Sequence, residues 1–577
     1  MWTVIIYVYK TFKGNLDRPI FDGKLIADTL NFNGVDITEV EGHLMMNGSD
    51  IFLSNFAFNS DGGRYEVHGK VNYETNAMSG RSEVHNADIA GLCALANLKN
   101  ELIDGKLDSD IQFSGTLQYP AVHIVGIIPK GTYAGADIHD ISVNLNLLNN
   151  VLYVNKLEGM QGENGTINAS GSANLNGPID LKLSANNLEL AMFGRAAGID
   201  QEFIGTASIE ANIGGSVDNP AAYAEISATG GIKGSTFDLL KGNFELANGI
   251  VKVNELSVQR TLGEKLYKAS AKGLVPLISL SAKNSMQLKN DELINLDISL
   301  DNADLSLLPV LSDYVSWAVG EMQGTLKITG TAANPMINGK IAIPDGTTKI
   351  KGVSSLIEHQ KMLLAFKGNR IDVETFTGQI GNGHYDLTGG ISFSGITPTN
   401  YNLKFTADKL GIKSTFFNGP LTMEFMLNDE ETRFGKFPKF AGYIDIDKCS
   451  ISVPSIPESE GELPTIIMDV SVNLGDKVHF YTPYLYDMYV RGKAEFRGTT
   501  THPRPSGTFN VKRGGTLNYL KTVFNIREGE AHFNQPDSFF PTIKLSADAR
   551  LTNTRIYLEI DGSLKDRSMK LTIAHLH

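Results

Sequence analysis

The sequence predicts an all-β protein whose strands form an antiparallel sheet with one dry face and one wet face. The first observation is an alternation of period two, in which Leu181, Leu183 and Ala185 alternate with Lys182 and Ser184. The same alternation recurs at residues 296–300, 403–407 and 556–560. It is typical of half-buried antiparallel strands, because successive side chains of a strand point to opposite faces.

The second observation is that small clusters of Gly and Asn separate these strands. They lie at residues 148–150, 248–249, 381–383 and 389–390. Gly and Asn adopt a positive φ at low cost, so the clusters predict hairpin turns between neighbouring strands. The acidic stretch at residues 428–431 is predicted to be one more solvated turn, since its spacing fits neither a calcium loop nor a pair of glycosidase carboxylates.

The third observation is a spaced motif of Gly and Pro that recurs along the chain. After Gly330, the motif continues at Pro335, Gly339 and Gly346, which are offsets of five, nine and sixteen residues. Further copies are Gly498, Pro503, Gly507 and Gly514; Gly215, Pro220, Ala224 and Gly231; Gly115, Pro120 and Gly131; and a weaker one with Pro438 and Gly442. Such recurrence predicts one supersecondary unit stacked several times.

Short helices are predicted before three of these copies, at residues 88–101, 187–201 and 304–322, with Asp304 as the N-cap of the last. One short helix for several strands is too few for a fold in which helices cover both faces of a sheet. We therefore expect one long repeat-built body. Its regions are a first β-repeat region at 1–110, middle repeats at 111–323, a third and a degenerate fourth repeat at 324–470, and a last β region at 471–577.

The register of the strands around each motif assigns side chains to the two faces. Gly105 and Gly205 each precede the motif glycine by ten residues, and Gly324 and Gly492 by six, so both intervals are even and preserve side-chain direction. The apolar face is predicted to hold Leu107, Ile111, Phe113, Ile209, Ile213, Ile226, Leu326, Ile328, Ile341, Ile343, Phe496, Phe509 and Val511. The opposite face carries Lys, Asp, Glu, Asn and Arg. Periodicity alone leaves two interpretations open: a core filled by its own side chains, or a U-shaped trough that keeps an apolar groove open.

Composition excludes several classes of function. The net charge is −13, with no long block of Lys or Arg, which argues against a nucleic-acid surface. The two cysteines, Cys93 and Cys449, show no metal or redox spacing. No phosphate-binding or nucleophile motif has a supporting context. We predict that the protein is not an enzyme and uses neither a metal nor another cofactor.

Neither the histidines nor the first residues of the chain are predicted to have a special function. His123 and His139 are far apart in sequence and are predicted to be satisfied surface side chains, while His575 and His577 lie in a frayed tail. Residues 1–9 are apolar, but a membrane span needs roughly 20 such residues. They are predicted to form a first strand, with the remnant of a membrane anchor as the alternative.

At residues 470–558 the sequence resembles the TamB family, within the wider AsmA-like group of envelope proteins. The resemblance lies in the order and spacing of degenerate motifs. They are the strand at 474–480, the Gly-bounded strand at 492–498 leading to Pro503 and Gly507, the segments at 515–520 and 524–533, and the Pro-led strand at 541–547. A weaker AsmA-like pattern, in which a helix precedes Gly-rich strands, covers the rest from about residue 15.

The resemblance implies an elongated, twisted antiparallel β-trough, called a β-taco, lined with apolar residues. It implies a place in the periplasm of a two-membrane bacterium, associated with the inner membrane, and bridge-like transport of phospholipid toward the outer membrane. The implied partners are phospholipids, an outer-membrane β-barrel of the BamA or TamA type, and the inner membrane. The family's anchor and last strands are missing from the sequence, which suggests a fragment and leaves binding of the barrel open.

Two other functions stay open at this point. One is a scaffold for assembly or secretion of outer-membrane proteins, which would offer strand edges to nascent chains. The other is a structural β-solenoid rod with a filled core. A lipid groove is energetically reasonable, because burial of about 14 methylenes at roughly 0.8 kcal/mol each contributes about 11 kcal/mol per acyl chain.

Overall fold

The structure is a computed structural model of the 577-residue chain. It describes residues 4–8, 13–15, 18–32, 35–60, 62–89, 103–116, 118–196, 202–216, 219–232, 235–279, 287–288, 291–312, 314–433, 435–452, 465–551, 554–563 and 570–576. Within these ranges, 36 β-strands account for nearly all of the regular structure. The predicted all-β, antiparallel fold class is confirmed, and the strand β1 (Val4–Val8) confirms the expectation for the first residues.

The chain divides into two compact units, and unit 1 covers residues 1–296. Its further strands are β2 (Lys13–Asn15), β3 (Arg18–Phe32), β4 (Val35–Asn47), β5 (Asp50–Ser60), β6 (Gly63–Asn72), β7 (Ala77–Asp88), β8 (Ile103–Thr116), β9 (Pro120–Tyr133), β10 (Ala136–Leu148), β11 (Val151–Gln161), β12 (Gly165–Asn174), β13 (Ile179–Glu189), β14 (Phe203–Gly215), β15 (Pro220–Ile232), β16 (Ser235–Ala247), β17 (Ile250–Leu262), β18 (Lys265–Ser279) and β19 (Gln287–Leu288). The helix α1 (Leu190–Ala196) follows β13.

Unit 2 covers residues 297–577, and its first strand begins just before the boundary. Its strands are β20 (Asn295–Asp304), β21 (Val315–Gly330), β22 (Pro335–Ile350), β23 (Leu356–Gly368), β24 (Arg370–Ile380), β25 (Gly383–Ser394), β26 (Thr397–Lys413), β27 (Phe417–Thr432), β28 (Gly435–Ile451), β29 (Ile467–Thr482), β30 (Tyr486–Thr499), β31 (Pro503–Val511), β32 (Thr516–Tyr519), β33 (Thr522–His532), β34 (Thr542–Leu551), β35 (Thr554–Ser563) and β36 (Lys570–Leu576). A 3-10 turn (Leu305–Leu307) and the short helix α2 (Leu308–Leu311) follow β20. The four regions predicted from the sequence are not tested by this division into two units and remain a prediction.

Most strands pair antiparallel with the next strand in the chain, as the hairpin pattern predicts. One joint differs, because β28 and β29 pair in parallel, with Lys439 opposite Ile467 and Ile451 opposite Phe480. Strand β30 pairs with both β31 and β32, and β33 then pairs with β31 and β32 in turn. Within each unit the sheet thus grows strand by strand along the sequence.

The predicted helices are confirmed only in part. In the stretch 304–322, Asp304 does act as an N-cap, its side chain accepting from the Ser306 amide at 2.9 Å, but helix ends at Leu311. The apolar residues Val315, Trp317 and Val319 belong to β21, where a register shift separates Val315 from Trp317. Trp317 and Val319 share an exposed face, at 42% and 55% exposure. In the stretch 187–201, the first three residues belong to β13 and α1 follows as predicted. Residues 197–201 and most of residues 88–101 lie outside the described residues.

The predicted turns are confirmed in three of four places. Asn149 and Asn150 have φ of 52° and 63°, Asn248 and Gly249 have 53° and 72°, and Gly381 has 62°. Gly389 and Gly390 instead lie inside β25, so the turn predicted there is wrong. The acidic stretch 428–431 also lies inside a strand, β27, where Glu430 pairs with Lys439 across the hairpin at 2.6 Å. In the weak fifth motif copy, the turn between β27 and β28 includes Arg433, and Pro438 sits within β28 instead of at its start.

The strands of each unit end along two opposite sides of the sheet. We call these two rows of strand ends its edges; they are not the outermost strands. We call the edge with the Gly-x4-Pro turns the proline edge; it holds the β8–β9 and β14–β15 turns in unit 1, and the β21–β22 and β30–β31 turns in unit 2. We call the opposite edge the bulge edge, because many strands carry a β-bulge in the half nearer to it. At several of these bulges a single residue has a positive φ: Asn86, Asp140, Asn187, His359 and Lys409, all between 50° and 57°.

The bulge residue has an amide that the sheet ladder leaves unpaired, and a side chain on the next strand accepts from it. Asn86 donates to the Asp108 carboxylate at 2.8 Å, Asn187 to the Ser208 hydroxyl at 3.0 Å, and Lys409 to the Thr422 hydroxyl at 3.1 Å. Each bulge also shifts the alternation by one residue. The inward series Leu181, Leu183, Ala185 of β13 therefore continues at Leu188 rather than at residue 187.

Candidate functional site

The four Gly-x4-Pro turns share one hydrogen-bonding arrangement. Their glycines have φ between 77° and 92°, and a Cβ on any of them would lie 2.5 Å from the carbonyl oxygen of the residue before the proline. That carbonyl accepts from the amide of the residue that follows the glycine, at 3.0–3.3 Å. The glycines are Gly115, Gly215, Gly330 and Gly498, and the prolines Pro120, Pro220, Pro335 and Pro503 each begin the next strand. Glycine is needed at the first position for both conformation and space.

A hydroxyl side chain completes each turn, and the sequence analysis missed it. The residue after the glycine is Thr116, Ser216, Thr331 or Thr499, and its Oγ accepts from the amide of the residue before the proline at 3.0–3.1 Å. The signal was present, because all four copies read Gly-Ser/Thr. The later motif glycines Gly339 and Gly507 also have positive φ, 136° and 125°, and lie opposite Leu326 and Ala494 on the preceding strand.

The thirteen predicted lining residues all lie in strands, and most of them lie in the half beside the proline edge. Leu107, opposite Ala87, and Val511, opposite Val490, lie nearer the bulge edge. Twelve of the thirteen are half-buried, and only Ile343 is fully buried, at 5% exposure. A sheet face covered by a second layer would bury such side chains, so this half of the inward face keeps apolar surface within reach of solvent or a ligand. We call the strip of twelve half-buried residues the apolar strip: Leu107, Ile111, Phe113, Ile209, Ile213, Ile226, Leu326, Ile328, Ile341, Phe496, Phe509 and Val511.

The register brings several members of the apolar strip together. Ile209 on β14 lies directly opposite Ile226 on β15. Phe496 and Phe509 meet through Phe533, whose ring centroid is 5.5 Å from the first and 5.0 Å from the second, both edge-to-face. Phe533 lies just beyond β33 and was not predicted, because its place depends on the short β32 hairpin that redirects the chain.

The inward face closes toward the bulge edge. There the side chains form buried clusters, such as Ala185, Leu188 and Met192 in unit 1 and Ile446, Cys449, Val478 and Val490 in unit 2. Helix α1 contributes Met192 to the first of these clusters, so it covers apolar side chains at that edge. We call this fully buried half of the inward face the crease.

A few polar groups interrupt the crease. The Ser109 hydroxyl is the one buried side-chain polar atom without a hydrogen-bond partner in the part of the chain that the structure describes. In unit 2, Gln360 bonds both Thr348 and Tyr385, the latter at 3.2 Å. Burial raises the pKa of the Tyr385 phenol, and the Gln360 hydrogen bond opposes that shift. Gln360, Thr348 and Tyr385 thus satisfy one another's hydrogen bonds.

The outward face carries ion pairs between neighbouring strands. Lys327 lies 3.1 Å from Asp297, and Lys106 lies 3.0 Å from Asp88. Glu495 accepts from Lys493, and this hydrogen bond holds the pKa of its carboxyl below the ordinary value. The two faces therefore differ in chemistry as the alternation predicts, with charges outside and apolar side chains inside.

The histidines take part in ordinary surface contacts. His139 bonds Asp140 at 2.8 Å and the Gly162 carbonyl at 3.0 Å, and the Asp140 bond raises the pKa of its imidazole. His123 bonds Asn146 across the β9–β10 pair. Among the described residues no group of His, Cys, Asp and Glu could hold a metal ion. His575 lies in β36, opposite Ile556 on β35, so the frayed tail predicted there is wrong at this residue, and His577 lies outside the described residues.

A comparison with protein families identifies the family to which this two-faced sheet belongs. The model of the TamB C-terminal domain matches residues 155–359 and 374–574, which is well over half of the chain. The chain belongs to the TamB family. The match extends far upstream of residues 470–558, where the sequence motifs are clearest. A search of curated proteins found no match.

TamB membership has consequences at the level of the family. TamB proteins act in transport and assembly at the cell envelope, in a module with outer-membrane partners, and they are not enzymes. Membership thus implies that this chain is associated with the envelope. Of the helices in the described residues, none has both the length and the apolar character that crossing a bilayer requires.

Proposed function

We propose that this TamB protein carries phospholipids along the inward face of its sheet, from the inner toward the outer membrane of a two-membrane bacterium. The acyl chains would lie against the apolar strip, and the headgroups would face the open side near the proline edge. The protein would work in the periplasm as a passive conduit, with no catalytic residue and no bound cofactor.

The observation that carries the proposal is the half-burial of the apolar strip. A structural rod should bury such residues fully, as the crease does with Leu188 and Val478, at 1% and 0% exposure. The strip instead combines Ile and Phe side chains with remaining accessible surface. An apolar surface of this kind is stabilised by an apolar ligand, since each buried methylene contributes about 0.8 kcal/mol.

The crease has a supporting role in this proposal. Its side chains hold the strands together by their own burial, and in unit 2 Phe509 and Val511 of the strip pack against it. The accessible surface of the strip would remain available to one occupant after another. Ile343, predicted as lining, fits better as part of this crease because it is fully buried. A conduit needs ligands that leave as well as bind, and a strip without a specific headgroup site meets that need.

The experiment is native mass spectrometry with lipid extraction on the purified chain, followed by transfer of a fluorescent phospholipid between vesicles. Wild type should carry several phospholipids per chain. The triple variant Ile328→Glu, Ile341→Glu, Phe509→Glu places three carboxylates on the strip and should lose both bound lipid and transfer, because burying a charge beside an acyl chain is strongly unfavourable.

The matched control places the same charges on the same strands but on the outward face. Thr325→Glu, Met336→Glu and Ser506→Glu are exposed neighbours on β21, β22 and β31. This variant should keep wild-type lipid content and transfer. Equal loss in both variants would contradict the proposal, because it would trace to net charge or folding.

The same wild-type and variant proteins also distinguish the scaffold and rod functions from lipid transport. A scaffold for outer-membrane proteins predicts that the strip variant still supports assembly of a β-barrel substrate, since strand edges and not the strip would do the work. A rod predicts a well-folded wild type with no lipid at all. Retained transfer in a folded strip variant would exclude the groove.

A further inference from the structure

The bulge edge of unit 2 carries two neighbouring turns with unusual residues. The β29–β30 turn places Tyr484 at 90% exposure, with Leu485 beside it, and the β32–β33 turn places Leu520 at 77% exposure. The Asn518 amide donates to the Leu485 carbonyl at 2.8 Å, so the two turns touch. We call Tyr484, Leu485, Leu520 and Lys521 the exposed rim.

The backbone of the rim makes these side chains more notable. Tyr484, Leu520 and Lys521 have φ of 63°, 48° and 63°, a conformation that costs bulky residues free energy and that Gly or Asn adopts readily. Other hairpins in the chain use Asn or Gly at such positions, as at Asn248 and Gly249. A bulky apolar residue held outward in a strained turn indicates a function for the side chain itself.

Basic side chains outnumber acidic side chains around the exposed rim. Two of the nearby acids are engaged, Asp476 by Arg491 at 3.2 Å and Lys512 at 3.4 Å, and Asp487 by His479 at 2.8 Å. Farther along the same edge, Asp548 is held between Arg527 and Arg555, at 2.6 Å and 3.0 Å.

Three cations at this edge have no such partner. Arg513, Lys521 and Arg550 are exposed, and no ion pair in the described part of the chain involves them. Apolar and aromatic side chains at a convex tip, flanked by free cations, match the interface of a bilayer with anionic headgroups. If the partner were a protein with a groove, the sides of the two turns would be buried in the contact, and not mainly the exposed side chains at their tips.

We propose that the exposed rim docks on an anionic phospholipid bilayer surface, with Tyr484 and Leu520 entering the headgroup layer and the three cations facing the headgroups. The rim is separate from the apolar strip, since it lies at the opposite edge and on turns rather than on the inward face of strands. Docking therefore stands whether or not the strip conducts lipid.

The test is flotation of the full chain with vesicles of phosphatidylethanolamine and phosphatidylglycerol, compared with vesicles of phosphatidylcholine alone. Wild type should float with the anionic vesicles, and added salt should reduce the bound fraction. The variant Tyr484→Asn, Leu520→Asn should lose about tenfold or more in binding. Asn accepts a positive φ, so this variant should fold as well as wild type, which circular dichroism checks.

The matched control is Ile396→Asn, because Ile396 is 78% exposed in the β25–β26 turn at the proline edge of the same unit. It should float as wild type does. Flotation that survives the double Asn change, or that falls equally in the Ile396 control, overturns the proposal. It is also overturned if the rim is needed only for vesicles that contain an outer-membrane β-barrel, since the rim would then be a protein contact.

Discussion

The two halves of the inward face are built differently. Toward the bulge edge, the crease is packed to near-complete burial, as at Leu188, Cys449 and Leu558. Toward the proline edge, the apolar strip has the same residue types at half-burial and is bounded by turns with a fixed hydrogen-bond pattern. The difference indicates that packing stabilises one half, while turn geometry keeps the other half in shape without filling it.

The largest expected effect tests this contrast within one strand. Leu188→Ala removes a fully buried side chain of β13 and should lower the free energy of unfolding by about 3 kcal/mol. Leu183→Ala, five residues away in the half-buried part of the same strand, should cost only about 1 kcal/mol. Urea unfolding followed by circular dichroism measures both, and equal costs would remove the distinction between strip and crease.

Thiol reactivity separates the two halves on β28. Burial raises the pKa of the Cys449 thiol to about 11, so at pH 8 its thiolate population should be about a hundredfold below that of an ordinary thiol. In a Cys93→Ser background, Cys449 should label correspondingly slowly with a maleimide. A cysteine introduced by Ile444→Cys, with Cys449→Ser, sits in the half-buried part and should label much faster. Similar rates would mean that the crease opens as easily as the strip.

The turn glycines test whether geometry shapes the open half. Gly215→Ala introduces a Cβ at a φ of 77° and 2.5 Å from the Asn219 oxygen, and we expect a loss of about 2 kcal/mol. Its neighbour Gly214 has no positive φ, and its Cβ would lie 3.7 Å from the nearest atom, so Gly214→Ala should be within about 0.5 kcal/mol of wild type. A negligible effect at both positions would show that the turn shape is unimportant.

The smallest effect concerns the hydroxyl of the same turn. Ser216→Ala removes the acceptor for the Asn219 amide at 3.1 Å and should cost about 1 kcal/mol. Ser216→Thr keeps the hydroxyl, as three of the four natural copies do, and should unfold at the wild-type urea concentration. Equal midpoints for all three proteins would reduce the shared Ser/Thr to coincidence.

The sequence allowed the fold class and the motif turns to be predicted, because both depend on local chemistry. Alternation identifies a strand wherever one face is dry, and Gly330 or Pro335 identifies a turn wherever φ and space demand those residues. The wrong helix at 304–322 shows the limit. Val315, Trp317 and Val319 fit a strand as well as a helix face, and pairing with β22 decides between them.

The candidate site was predictable in part for a related reason. Side-chain direction could be followed from the motif glycines, which assigns Ile209 and Ile226 to one face, and the structure places them opposite each other. The switch of direction at each bulge could not be followed. Asn187 marks a bulge by its tolerance of positive φ, but Lys409 occupies the same conformation without any such preference. The division into strip and crease could therefore be recognised only from the structure.

The parallel joint between β28 and β29 has a consequence for how the protein folds. Hairpin-linked strands can add one at a time, since each new strand is already tethered beside its template by a turn of a few residues. At this joint the chain leaves β28 at the bulge edge and must begin β29 at the proline edge, so no tight turn can deliver the strand. Propagation along the sheet should slow there, and β29 to β36 should gain hydrogen-exchange protection in a separate, later kinetic phase.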